Sequence, residues 1–180
     1  ASGRTGRAVA RACYIRGADV VLVHDGPDSS WATVERVESA EEMTDAVLDH
    51  ASTADALVSA AAISDYTVET AQQKLRSGRD DLVIELEPTP KLVDEVRAAE
   101  PRLPIVGFKA ETGGEDADLV EKGRDLLTRV DMPFVVANRA QVMGSAETRA
   151  LLIRSDDVRE FEGSKAELGD LVADELATVL

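Results

Sequence analysis

An α/β fold in three layers, α/β/α, built on a mixed but mostly parallel sheet with a C-terminal hairpin, is predicted by three features of this sequence. Helix-like and strand-like segments alternate along most of the chain, the order that parallel crossover units require. The strand-like runs at Ala56 to Ala62 and Phe134 to Ala137 are apolar without polar alternation, as suits strands covered on both faces. Near the end, apolar segments on either side of Ser155-Asp156-Asp157 read as two strands joined by a short turn.

Gly6 to Arg16 reads as a helix closed by Gly17, and Asp19 to His24 as the strand after it. Glu41 to Ala51 has helical period, with Met43, Ala46 and Val47 on one face. Next come the buried strand at Ala56 to Ala62 and a more exposed one at Asp81 to Glu87, where Leu82, Ile84 and Leu86 alternate with Val83 and charges. Pro88 separates that strand from a helix at Lys91 to Ala99, and Pro104 to Phe108 is the next strand. Asp116 to Val130 places Leu119, Val120, Gly123, Leu126, Leu127 and Val130 on one helical stripe. Phe134 to Ala137 follows as a strand, and Ala150 to Arg154 with Val158 to Glu162 makes the hairpin. Lys165 to Leu180 is the last helix, carrying Leu168, Leu171, Val172, Leu176 and Val179.

A chain of 180 residues can bury one core without staples, and no repeat or linker divides it, so residues 1–180 are expected to form a single domain. The formal net charge of -15, from 20 Lys plus Arg against 35 Asp plus Glu, argues against a nucleic-acid partner, because phosphate binding needs clustered cations. One cysteine, Cys13, excludes an internal disulfide and a zinc site made of cysteines. It shares a helical face with Val9 and Ala12 and so reads as a core residue, not a nucleophile. No apolar run reaches the roughly 18 residues of a membrane span and no signal peptide is visible, so the expectation is no membrane contact and a cytoplasmic location.

The stretch Ala60-Ala61-Ala62-Ile63-Ser64-Asp65-Tyr66 ends an apolar run in a carboxylate. In parallel sheets the carboxyl ends of strands open on the ligand crevice, which puts Asp65 where a site forms. Lys74-Leu75-Arg76 follows in a polar, glycine-bounded stretch. Ser2-Gly3-Arg4-Thr5-Gly6 has the composition of a phosphate-cradling turn, which presents backbone N–H groups at a helix N-terminus. Such a turn joins a strand to its helix, so a feeding strand upstream of Ala1 is expected, and residues 1–180 are expected to lack it. His24 and His50 read as a strand-end and a helix-face residue, and Trp31 as covering the core edge or a dimer contact. Glu100, Glu111, Glu115, Asp116 and Asp118 read as a solvated acidic face.

In order and spacing, these landmarks resemble the phosphopantothenoylcysteine synthetase family, the ligase half of a bifunctional flavoprotein of coenzyme A biosynthesis. Ser2-Gly3-Arg4-Thr5-Gly6 is similar to that family's SSGKMG-type turn, Ala60 to Tyr66 to its AAVADY-type motif, and Lys74-Leu75-Arg76 to its KxKK segment. Further matches are Ala18-Asp19-Val20-Val21-Leu22-Val23, Pro88-Thr89-Pro90-Lys91-Leu92, Gly107-Phe108-Lys109-Ala110-Glu111-Thr112 and Val136-Ala137-Asn138.

The resemblance implies a Rossmann-like ligase that joins 4'-phosphopantothenate to L-cysteine with CTP or ATP. The pantothenate carboxylate attacks the α-phosphorus, giving an acyl-nucleotide and pyrophosphate, and the cysteine amine then displaces the nucleoside monophosphate. It further implies that Asp65 holds Mg²⁺ or Mn²⁺, that Lys74 is catalytic and closes over the phosphates, and that Ser2, Gly3, Gly6, Ala61, Gly107, Phe108 and Asn138 join them around the nucleotide. Arg124 and Arg129 stand nearest to the family's phosphate-contacting lysines. A homodimer is implied, as is an asparagine-bearing loop upstream of Ala1; FMN enters only with an upstream decarboxylase domain.

Two other readings stay open from the residues. Asp25 ends its strand where a dinucleotide-binding fold places its ribose-binding acid, which fits an NAD(P)-dependent oxidoreductase. Against it, the turn lacks the third glycine of GxGxxG, and Tyr66 and Lys74 lack the one-turn helical spacing of short-chain dehydrogenases. The third reading is a non-catalytic dimerisation module.

Overall fold

A computed structural model describes residues 3–68, 83–139 and 147–180. The chain opens with α1 (Arg4–Ile15), β1 (Val21–His24), β2 (Thr33–Arg36) and α2 (Ala40–Ala51). Three short strands follow, β3 (Leu57–Ser59), β4 (Tyr66–Thr67) and β5 (Glu87–Pro88), then α3 (Leu92–Ala99) and β6 (Ile105–Glu111). The last part comprises α4 (Asp116–Val130), β7 (Val135–Arg139), β8 (Glu147–Ile153), β9 (Val158–Ser164) and α5 (Lys165–Ala177).

The main sheet has the order β3-β6-β7-β8-β9. Its first three strands are parallel, with Ser59 opposite Gly107 and Gly107 opposite Val135, and its last three are antiparallel. Strands β1 and β2 form a separate parallel pair, β4 and β5 an antiparallel one. Neighbouring residues of the central strands point to opposite layers, as the two-residue period requires. Val106, Phe134 and Val136 pack with Val9 of α1 and with Leu168, Val172 and Leu176 of α5. Ile105 and Val135 pack instead with Val96 of α3 and with Leu127 and Val130 of α4, and Met43 and Val47 of α2 cover that side. These are the three layers.

Local chemistry fixes the helix starts. Ser39 accepts from the Glu42 amide, and capping boxes open α4 (Glu115 with Asp118) and α5 (Ser164 with Glu167). Helix α1 lies so close to α5 that a Cβ on Gly169 would stand 2.7 Å from the Ala8 backbone, so glycine there is a packing requirement. Cys13 packs against the first core, and burial pushes its thiol pKa up, as expected of an inert residue.

Several sequence expectations need correction. The run Ala56 to Ala62 is not one strand covered on both faces: only Leu57–Ser59 is strand, its residues are half-buried, and Ala61 and Ala62 are exposed. Among the described residues β3 has a partner on one side only, so its apolar continuation leaves the sheet. Of Asp81 to Glu87, residues 81 and 82 lie outside the described residues, and Val83 to Leu86 form no strand; only Glu87–Pro88 pairs. Strand β2 was hidden because its four residues carry no long apolar run and no hairpin turn joins it to β1. The last helix ends at Ala177, short of Leu180. No described helix is long and apolar enough to cross a membrane.

Candidate functional site

The carboxyl ends of β3 and β6, with the facing sides of α3 and α4, enclose a cleft of about 470 Å³. Gly107, Phe108, Lys109 and Glu111 of β6 line it together with Ser59, Lys91 and Val93. Helix α4 contributes Lys122, Asp125, Leu126 and Arg129, residues spaced three, four and seven apart and therefore on one helical face. A Cβ at Gly107 would lie 2.9 Å from the Met132 sulfur, the end of a flexible side chain that would have to shift to admit it.

Four cations thus border the cleft, in a chain whose net charge is strongly negative. Each has a carboxylate partner. Glu111 takes Lys109 on one oxygen at 3.1 Å and Lys122 on the other at 2.7 Å; these two lysines, Lys122 first, hold its carboxyl pKa below the usual range. Arg129 pairs with Asp94. Lys91 donates to Asp65, which holds the Asp65 carboxyl low, with Lys109 adding a smaller attraction. Glu111 is therefore no member of a solvated acidic face, and Asp116 is also engaged, accepting from Arg149 at 2.7 Å and Arg139 at 3.3 Å. Alternation on β6 puts Lys109 and Glu111 on one face, a signal the sequence carried but composition masked.

Asp65 is exposed and sits between the end of β3 and the start of β4. The β4–β5 ladder sets Tyr66 opposite Pro88, and the Thr89 amide donates to the Asp65 carbonyl at 2.9 Å. That ladder brings Asp65 to Lys91, a residue of the Pro88-Thr89-Pro90-Lys91-Leu92 motif to which the resemblance gives no role of its own. Gly3 caps α1 in the left-handed region, with φ of 63°, and Gly6 faces Ala60, so the glycine turn adjoins the segment leading to Ala61 and Asp65. Asn138 lies in β7 and lines a second, smaller cleft of about 210 Å³ with Arg139 and Arg149. Of the α4 arginines, Arg129 borders the main cleft and Arg124 does not. Ser2 and Lys74 lie outside the described residues.

Away from the clefts, His24 closes β1 as a buried residue whose Nε2 has no hydrogen-bond partner; burial first, then Arg7, pushes its pKa down. His50 meets Glu35 at 2.6 Å. Trp31 stacks near Tyr14, with ring centres 6.0 Å apart, and Arg11 lies over both rings.

A family model described as DNA/pantothenate metabolism flavoprotein C-terminal domain matches residues 1–180. The chain is 37% identical over 186 residues to the coenzyme A biosynthesis bifunctional protein CoaBC of Thermococcus kodakarensis, covering 99% of this chain and 46% of that protein. It spans about half the length of the curated relatives it matches. Its fold is similar to the crystal structure of the C-terminal domain of a CoaBC protein, with TM-score 0.81, 24% identity and coverage of 99% and 83% of the two chains. A Cab2 mutant in complex with phosphopantothenate-cysteine has the same fold, with TM-score 0.80, 17% identity and coverage of 99% and 78%.

Proposed function

Since the chain belongs to the DNA/pantothenate metabolism flavoprotein C-terminal domain family, we infer that it is a phosphopantothenate–cysteine ligase of coenzyme A biosynthesis. The observation that carries this reading is the cleft at the carboxyl ends of β3 and β6, bordered by four cations held on carboxylates, with Asp65 at its edge. Lys91, Lys109, Lys122 and Arg129 have the charge and the placement to bind the phosphates of CTP or ATP. Phe108 borders the cleft while its side chain packs into the core beneath α1 and α5, so its place in the site is that of a wall residue. A relative by fold was solved with phosphopantothenate-cysteine, the product this reaction makes.

Asp65 offers a hard, exposed oxygen beside that cleft, and no described group of three or more His, Cys, Asp or Glu residues forms a protein-only cage. That donor set fits Mg²⁺ or Mn²⁺, which take one or two carboxylates and fill the remaining positions with water and phosphate. When bound, the cation neutralises phosphate charge and favours attack at the α-phosphorus. In the first step the pantothenate carboxylate forms a bond to that phosphorus as pyrophosphate leaves. In the second the cysteine nitrogen bonds to the acyl carbon, loses a proton, and expels the nucleoside monophosphate. The lysines hold the phosphates in line and balance the charge that builds on the leaving pyrophosphate. Ser2, Gly3, Gly6, Ala61, Lys74 and Asn138 are assigned the nucleotide contacts that the resemblance implies; of these, Asn138 borders the second cleft.

The assembly we assign is a homodimer. Tyr66, Val83, Ile84 and Leu86 expose large apolar side chains around the small β4–β5 pair, and a symmetric partner is a common cover for such a surface.

Protein carrying this sequence, given phosphopantothenate, cysteine, Mg²⁺ and either nucleotide, is expected to release pyrophosphate and form phosphopantothenoylcysteine in equal amounts. Asp65→Asn is expected to lower that rate about 100-fold, with an unchanged circular dichroism spectrum. Wild-type turnover by Asp65→Asn at limiting Mg²⁺ removes Asp65 from the site.

A further inference from the structure

Lys91 is poorly placed for the helix it begins. It occupies the N-cap of α3, where the helix dipole is positive and a hydroxyl or carboxylate side chain is the favourable choice, and its side chain makes no capping hydrogen bond. The same lysine is well placed for the cleft. It lines the wall beside Lys109 and donates to Asp65.

Main-chain bonds hold this corner in shape while its side chains stay free to exchange partners. The Thr89 amide fixes the Asp65 carbonyl, and the Tyr66–Pro88 pairing fixes the flanking chain. The Lys91 and Asp65 side chains, by contrast, are 52% and 71% exposed. An ion pair so open to water is weak and is readily replaced by a better partner for either member. A divalent cation approaching Asp65 alone must displace Lys91. A polyphosphate entering alone gains Lys91 but uncovers the Asp65 carboxylate next to its own charge.

We propose that Lys91 is a positioning residue that couples the cation to the polyphosphate. With the cleft empty it neutralises Asp65; when a polyphosphate enters, Lys91 turns to the phosphate oxygens and leaves Asp65 open to the cation that accompanies them. By linkage, each of the two ligands then strengthens the other's binding. The proposal rests on Asp65 being the cation's ligand.

The test is Mn²⁺ binding to the whole protein without nucleotide, read by water-proton relaxation. Lys91→Met is expected to bind Mn²⁺ on the order of fivefold more tightly than wild type. Lys91→Arg is expected to restore the wild-type affinity, and Lys91→Met combined with Asp65→Asn to abolish the gain. The KM for the nucleoside triphosphate is expected to rise in Lys91→Met with the circular dichroism unchanged. Equal or weaker Mn²⁺ binding by Lys91→Met overturns the proposal. A gain in Mn²⁺ affinity in a protein with no ligase turnover supports the coupling and overturns the ligase reading instead.

Discussion

Strand β7 and the stretch from Val83 to Leu86 are both short and rich in apolar residues, yet their surroundings are opposite. Phe134, Val135, Val136 and Ala137 expose no surface, whereas Val83 is 86% exposed and Ile84 59%. The strand lies between β6 and β8, with helical layers on both faces. The other stretch precedes a two-residue pairing, and no described layer covers it. Apolar composition says that a segment gains by burial; the available partners decide whether the segment becomes core or a surface that awaits cover. In this molecule the well-packed strands and α4 carry most of the cleft's wall, while Lys91 of that wall pairs with Asp65 of the thinly packed stretch, a division suited to holding a ligand on one side and adjusting to it on the other.

The largest expected effect sharpens that contrast directly. Phe134→Ala should cost about 3–5 kcal/mol in urea unfolding, because it empties a fully covered site, while Ile84→Ala should stay within about 0.5 kcal/mol of wild type in the monomer. Equal costs at the two positions would erase the distinction. Gly169→Ala comes next, at about 1–3 kcal/mol, since its Cβ meets the Ala8 backbone. Gly123→Ala meets only the terminal methyl of Ile153, which can swing aside, so the smaller loss belongs there.

On the exposed side, Ile84→Asp should convert a dimer to a monomer in light scattering at micromolar concentration with secondary structure intact. A wild-type protein that is already monomeric, with ligase activity retained, would contradict the dimer.

A smaller effect concerns acid. The folded pKa of His24 is depressed, so the unfolded chain takes up its proton first as the pH drops. Its contribution is whole above the ordinary histidine pKa of about 6.5 and is lost as the pH falls below that value toward the depressed one. The urea midpoint should decline from pH 7 to pH 5.5, and His24→Phe should flatten the decline. Glu111 and Asp65 have lowered carboxyl pKa values, so their contributions are present above the ordinary carboxylate range and fade only as the pH falls through it. A decline confined to that lower range would show that His24 does not titrate as described.

Periodicity made most of the architecture legible: the apolar stripe of α4 and the strand pairs around Ser155-Asp156-Asp157 appear where the sequence puts them. The β3 region was misjudged because apolar residues at Ala60 to Ala62 do not reveal whether a neighbouring strand is present. Strand β2 gave no signal because a four-residue parallel strand without a helix before it resembles a loop. Of the residues the motif order singles out, Gly107 and Phe108 border the cleft and Asp65 pairs with Lys91 of its wall. The roles of Lys91, Glu111 and Lys122 depend on register between β4 and β5 and between β6 and α4, which spacing along the chain does not encode.

We assign the cleft between β6, α3 and α4 to a nucleoside triphosphate. Hydrogen exchange with Mg²⁺-CTP, Mg²⁺-ATP and NAD⁺ in parallel tests it most directly. The amides at 107–111 and those of Thr89, Lys91 and Leu92 should be protected by at least one of the triphosphates and not by NAD⁺. Protection by NAD⁺ around Asp25, with the 107–111 amides unchanged by either triphosphate, would contradict it.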